Sequence, residues 1–140
     1  MKKKLIKIFA VLFLLALVLV LLVFFYFFHT TVRIDSDFEV KDICVVDEDG
    51  NRTQMNKTKF SHEAMYGKYN YEMMVQNHKF VISVFKINDY QHYNVDIDIK
   101  GIDGMGVEPF EVTVSVDGSP CESEIFDFND IDEVYMSVGP

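Results

Sequence analysis

The stretch Asn94-Val-Asp-Ile-Asp-Ile-Lys100 alternates polar and apolar side chains without a break. Successive side chains of a β-strand point to opposite faces, so this pattern predicts a strand with one face buried and the other in water. The stretch Phe110-Glu-Val-Thr-Val-Ser-Val116 alternates in the same way. Two such strands, separated by a segment that contains glycine, indicate a β domain.

Apolar residues form strand-like patterns in several other segments. They fall on both faces of residues 38–46, which predicts an interior strand, and they are nearly continuous over residues 80–87, as expected of a strand covered on both sides. Between these segments, Ser61 can cap a single helical turn that runs to Met65 and stops at Gly67. The remaining strand-like runs are residues 69–75, 125–128 and 134–138.

Asp, Asn and Gly are concentrated between these runs, where tight reversals need residues that tolerate positive φ. Short strands joined by such turns predict antiparallel pairing, so we expect a small antiparallel β-sandwich, with an open barrel as the competing architecture. An immunoglobulin-like arrangement fits the number of strands, but the chain has no Trp, and Cys121 follows a turn instead of lying within an alternating strand. The turn segments are residues 47–51, 76–78, 88–89, 101–106 and 117–120.

An uncharged apolar run covers residues 8–28 and follows a lysine-rich start. As a helix, its 21 residues reach about 31 Å, close to the roughly 30 Å thickness of the hydrocarbon core of a bilayer. Bulky aromatic residues at positions 24–28 replace the small side chains that a signal peptidase needs, so we expect an uncleaved anchor, with a removed signal peptide as the alternative. The run has no ionisable residue and no closely spaced small residues, which predicts a passive tether.

Charge on the two sides of this run predicts its orientation. Lys2, Lys3, Lys4 and Lys7 precede the run, whereas Arg33 is the only basic residue just after it, and loops rich in Lys and Arg stay in the cytoplasm. We therefore expect a single-pass protein of the cell membrane with its N-terminus in the cytoplasm. Its parts are a basic tail (1–7), a signal-anchor helix (8–28), a short connector (29–36) and an extracytoplasmic acidic β domain (37–140) that is long enough to bury a core.

The β domain is strongly acidic. Of the 13 basic residues, four precede the apolar run and none follows Lys100, while 22 residues are acidic. Nucleic acids and anionic lipids are bound through Lys and Arg, so we expect this domain to bind neither. The charge favours a cation or a basic surface on another envelope or membrane protein, and the alternative is that it only keeps the domain soluble.

An acidic segment near the C-terminus is the candidate metal site. Asp127, Asn129, Asp130 and Asp132 supply the carboxylate and amide oxygens that Ca²⁺ prefers. The segment is not an EF-hand, because Ile131 stands where that loop needs its third ligand. Ordinary turn and surface roles for these side chains are the alternative to calcium binding.

Two cysteines, Cys44 and Cys121, lie beyond the apolar run. A disulfide between them in an oxidising compartment would stabilise the fold by about 4–5 kcal/mol by restricting the unfolded chain. The alternative is a buried Cys44 and a loop thiol at Cys121. Asn51 and Asn56 each begin a match to the N-glycosylation acceptor, which matters only in a host with that machinery.

The sequence contains no known catalytic motif. His62, His78 and His92 are far apart, and the chain has neither a Gly-x-Ser-x-Gly elbow nor a phosphate-binding glycine loop. We therefore expect no enzyme, and no cofactor other than calcium. The sequence favours a non-enzymatic interaction or structural module that binds another envelope protein, for example by edge-strand pairing. The alternatives are a calcium-dependent surface-binding domain and an envelope hydrolase.

Overall fold

A computed structural model describes residues 2–64, 67–86, 92–102, 109–129 and 131–138, and gives only the backbone for residues 119–121. Within these residues, one helix precedes ten strands. Their bounds are α1 (Lys2–Phe27), β1 (His29–Ser36), β2 (Val40–Val46), β3 (Arg52–Met55), β4 (Lys59–Glu63), β5 (Gly67–Val75), β6 (His78–Lys86), β7 (Tyr93–Gly101), β8 (Phe110–Val116), β9 (Ser119–Phe126) and β10 (Glu133–Val138).

The strands form two five-stranded sheets with the orders β4-β1-β7-β8-β9 and β10-β6-β5-β2-β3. Neither sheet closes on itself, so the predicted β-sandwich is confirmed over the open barrel. The inward faces of both sheets meet in one apolar core, in which Phe80 of the second sheet stacks on Phe110 of the first at 5.7 Å between ring centroids. Burial of these faces is the main favourable contribution to folding.

Two of the strand pairs are parallel, which corrects the expectation of wholly antiparallel sheets. Val32 of β1 lies opposite Val95 of β7, and Val134 of β10 lies opposite Phe80 of β6, in both cases with the strands running the same way. Turn residues predict only how neighbouring runs pair. These two pairs join strands that are distant in the chain, so no turn signal bears on them.

The predicted connector at residues 29–36 is in fact β1, an interior strand between β4 and β7. Thr30, Val32 and Ile34 face the core and are buried. The alternation was not predicted because Thr30, one of the residues that face the core, has a polar hydroxyl of the kind usually found at the surface. The side chain of Thr30 is nevertheless β-branched, and β-branched side chains favour strands. The predicted helical turn from Ser61 is also wrong, since Lys59–Glu63 forms β4.

A β-bulge in β2 explains why both faces of residues 38–46 are apolar. Asp42 has a φ of 56°, and the pairing of β2 with β5 shifts between Lys41 and Cys44. One inserted residue exchanges the faces of a strand. Phe38 faces the core before the bulge and Ile43 faces it afterwards.

The strand directions give the sandwich two ends. β1 starts at the end nearest α1, whereas β4 and β6 finish there, and we call this the helix end. Strands of seven to nine residues separate it from the far end by about 23–30 Å. The connection between β9 and β10, which holds the predicted calcium ligands, lies at the far end.

Candidate functional site

Lys86, the last residue of β6, is 1% exposed and contacts the end of α1. Its Nζ donates hydrogen bonds to the carbonyl oxygen of Phe27 at 2.7 Å and to that of Ala64 at 2.8 Å. Its Nζ also lies 5.7 Å from the centroid of the Tyr93 ring. The last carbonyls of a helix have no partner within the helix and carry its negative dipole end, so a lysine amino group complements them. These contacts offset the cost of burying Lys86.

Two other groups bond to the same end of α1. His92 Nδ1 donates to the carbonyl oxygen of Tyr26 at 2.9 Å, and the two rings stack with centroids 4.2 Å apart. The Ala64 amide donates to the carbonyl oxygen of Phe28 at 2.6 Å. Because β1 begins at His29, the helix continues into an interior strand with no linker. The sandwich therefore holds the end of the helix at several points.

His62 and Tyr71 form a buried polar pair near the helix end. His62 Nδ1 donates to the carbonyl oxygen of Glu63 at 3.0 Å, so Nε2 of the neutral ring accepts the Tyr71 hydroxyl at 2.7 Å. The pKa of His62 is lowered to about 4, mainly because the ring is buried, and the nearby positive charge of Lys86 contributes to the same shift. Burial also raises the pKa of Tyr71. At neutral pH both groups are uncharged and bonded to each other, which is the arrangement of a structural hydrogen bond.

A cleft of about 670 Å³ opens along the side of the sandwich where β3 and β4 are the edge strands. The two strands do not pair with each other, because β3 bonds to β2 and β4 bonds to β1. This volume is within the range of protein binding sites. Its walls include Thr53 and Met55 from β3, Ser61, His62 and Glu63 from β4, and Tyr69 from β5.

The turn between β2 and β3, residues 47–51, closes the cleft at the helix end, and we call it the acidic turn. Asp47 accepts hydrogen bonds from the side chain and backbone of Asn51, and these bonds lower the pKa of its carboxyl group. Glu48 Oε1 accepts the Lys68 amide at 2.9 Å. Gly67, with a φ of +144°, allows this approach, because a Cβ there would lie 3.1 Å from Glu48 Oε2. The turn is therefore a fixed wall of the cleft.

The predicted calcium ligands have ordinary structural roles where the structure describes them. The Asp127 carboxylate accepts the Asn129 amide at 2.9 Å, which is a local turn, and the Asp132 side chain is exposed. Asp130 lies outside the described residues. In the part of the chain that the structure covers, no group of three His, Cys, Asp or Glu side chains is placed to hold a metal. Calcium binding stays a prediction.

The predicted disulfide also stays a prediction. Cys44 is a free, half-buried cysteine on the outer face of its sheet, since its neighbours Ile43 and Val45 face the core. The side chain of Cys121 lies outside the described residues.

The groups that hold the helix end were not predicted from the sequence, although one signal for them exists. Phe80, Ile82 and Val84 alternate as core positions, and Lys86 continues the same phase. A lysine at an inward position predicts a buried partner, because a buried amino group must find hydrogen-bond acceptors. No sequence pattern links Lys86 or His92 to the end of α1, because these contacts depend on the tertiary fold.

The helix that these groups hold is itself a candidate membrane span. By length and composition, α1 is apolar enough to cross a membrane, and it is the one such helix among the residues that the structure describes. None of its residues is buried against the sandwich. In comparisons by sequence and by structure, the chain matches no family model, and neither a curated protein nor a solved structure is significantly similar to it.

Proposed function

We propose that this chain is a single-pass membrane protein whose β-sandwich is held at the extracytoplasmic surface as a non-enzymatic interaction or structural module. One observation carries the proposal, namely that the sandwich itself caps the end of the apolar helix through Lys86, His92 and Ala64. Because the helix runs into an interior strand without a linker, the orientation of the domain relative to the bilayer is fixed. A fixed orientation suits a module that presents one surface to a neighbour.

The same contacts support an uncleaved anchor. Removal of residues 1–28 would take away the Phe27 carbonyl that accepts from Lys86 and the Tyr26 carbonyl that accepts from His92. Loss of acceptors for a buried amino group destabilises a folded domain. The sandwich is therefore better suited to remain attached to the helix than to be released from it.

The polar groups at the helix end support binding in preference to catalysis. His62 and Tyr71 are buried, neutral and bonded to each other, so they lack the accessible, titrating form of an acid–base pair. What the domain presents to solvent in this region is the cleft and the open edges of β3 and β4. Strand edges and clefts are common peptide-binding features.

Lysine labelling in intact cells tests the topology. A membrane-impermeant amine reagent, followed by mass spectrometry, should modify Lys59 and Lys79 on the domain surface and leave Lys2, Lys3 and Lys4 unmodified. Lysed cells provide the control, because all five residues should then react. Labelling of the N-terminal lysines but not of the domain in intact cells would reverse the proposed orientation.

Cross-linking tests the interaction. An amine-reactive cross-linker applied to intact cells, followed by purification in mild detergent, should recover a stoichiometric complex with an envelope or membrane protein. A four-residue Gly-Ser insertion between Phe28 and His29 is the variant to compare, since it frees the orientation of the domain. Because the insertion also separates Lys86 and His92 from their acceptors on α1, the comparison is made at a temperature at which circular dichroism shows that both proteins are folded. The insertion should lower the yield of the complex. A wild-type chain that is recovered alone at every cross-linker concentration would contradict the proposed function.

A further inference from the structure

The backbone of β4 presents unused hydrogen-bonding groups to the cleft. Two hydrogen bonds flank the β1–β4 pairing, from Ala64 N to Phe28 O and from Ile34 N to Thr58 O. In an antiparallel pair only every second residue bonds to the neighbouring strand, so the even-numbered residues of β4 are the ones that bond to β1. The amides and carbonyls of the odd-numbered residues therefore point to the open edge. Of these residues, Ser61 and Glu63 line the cleft.

One of these groups already has a partner, because the Glu63 carbonyl accepts from His62 Nδ1. Within the described part of the chain, the amide and carbonyl of Ser61 and the amide of Glu63 remain available at this edge. The edge of β4 is five residues long, or about 17 Å. It can therefore pair with about five residues of an extended chain.

The charge around the cleft selects the kind of chain. Asp47, Glu48, Asp49 and Glu63 line it, and Lys68 is the one basic residue in its described lining. The Lys68 amino group lies 3.4 Å from the hydroxyl of Tyr135, on β10 at the opposite edge of that sheet, so it is directed away from the cleft. The cleft is therefore complementary to positive charge.

We propose that the cleft binds an extended, Lys- or Arg-bearing segment of another protein, which adds a strand to the open edge of β4. This inference rests on the proposed function and names its binding surface and the chemistry of its partner. Backbone hydrogen bonds to Ser61 and Glu63 supply the strand pairing, and alternate basic side chains reach the carboxylates of the acidic turn. About five residues of the partner occupy the cleft.

Peptide binding to the full-length protein in neutral detergent micelles tests this inference. The probe is a fluorescently labelled nine-residue peptide in which Lys alternates with Val, measured by anisotropy at about 0.15 M salt, where distant charges are screened. Two control peptides replace Lys by Glu or carry N-methyl groups on every interior amide, so that the donors of either strand register are removed. We expect the Lys peptide to bind, the Glu peptide not to bind, and N-methylation to weaken binding at least about tenfold, because it removes the strand donors but keeps the charge.

Two charge-matched double variants complete the test. Asp49→Asn with Glu63→Gln should weaken binding at least about fivefold, since each exposed charge contact contributes modestly. Glu122→Gln with Glu124→Gln changes the net charge equally on β9, at the opposite edge of the first sheet, and should leave binding within about twofold. Absence of binding to the wild type, equal binding of the N-methylated peptide, or equal loss in both variants would each overturn the inference. A cross-linked partner found in cells under any of these results would leave the proposed function standing with a different binding surface.

Discussion

Replacing Lys86 by Met removes the amino group that joins the sandwich to the end of α1 and keeps a side chain of similar length. The two carbonyl oxygens of Phe27 and Ala64 then lose a donor. A buried acceptor left without its partner costs about 1.5 kcal/mol, so we expect Lys86→Met to lower the free energy of unfolding by about 3 kcal/mol. For a domain of about 110 residues, whose unfolding entropy is roughly 0.23 kcal/mol/K, this corresponds to a fall in Tm of about 13 °C.

The assay is thermal unfolding of the full chain in detergent micelles, followed by the far-ultraviolet circular dichroism of the β-sheets. Lys79→Met is the matched control, because it makes the same change on the same strand. The Lys79 side chain is 49% exposed and pairs with Glu72 at 3.3 Å. Its loss should cost no more than about 1 kcal/mol, or roughly 4 °C. If Lys86→Met melts no lower than Lys79→Met, the amino group does not stabilise the junction and the reasoning is refuted.

Three other predictions concern single groups. The pKa of His62 is about 4 in the folded chain and about 6.5 in the unfolded chain. As the pH falls, the unfolded chain therefore takes up a proton on His62 before the folded chain does. The free energy of unfolding should fall by about 2 kcal/mol from pH 7.5 to pH 5. Urea unfolding of His62→Gln should lack this part of the pH dependence, and an unchanged slope would contradict it. Asp42 has a φ of 56°, so Asp42→Gly should leave the stability unchanged. Asp42→Val should lower the free energy of unfolding by about 1–2 kcal/mol in the same assay, because β-branched residues avoid positive φ. Equal stability of the two variants would disprove the strained bulge. If residues 127–132 bind calcium, a free calcium concentration about one hundred times the Kd should raise the free energy of unfolding by about 2.7 kcal/mol. Asp132→Asn should reduce this increase. Equal melting temperatures in calcium and in chelator would reject the site.

Local side-chain alternation predicted the sandwich, and it failed where the fold depends on distant partners. Val95 and Ile97 alternate with acidic residues, so β7 is visible in the sequence, and the same holds for β8. β3 and β4 are short, polar edge strands whose side chains carry no clear period, and tertiary pairing alone makes them strands. The cleft between them was therefore not predictable, although the acidic turn on its wall was visible as a turn.

The position of β1 has a consequence for the order in which the protein can assemble. A ribosome makes β1 first, but its partners β4 and β7 end at Glu63 and Gly101. The second sheet likewise gains its edge strand β10 only when residues 133–138 are complete. Pairings between strands so distant in sequence form slowly, because a long loop must close first. A nascent chain stalled before Tyr93 would expose an unpaired edge of β1 beside the finished helix, so assembly of this sandwich must wait until β10 has been synthesised.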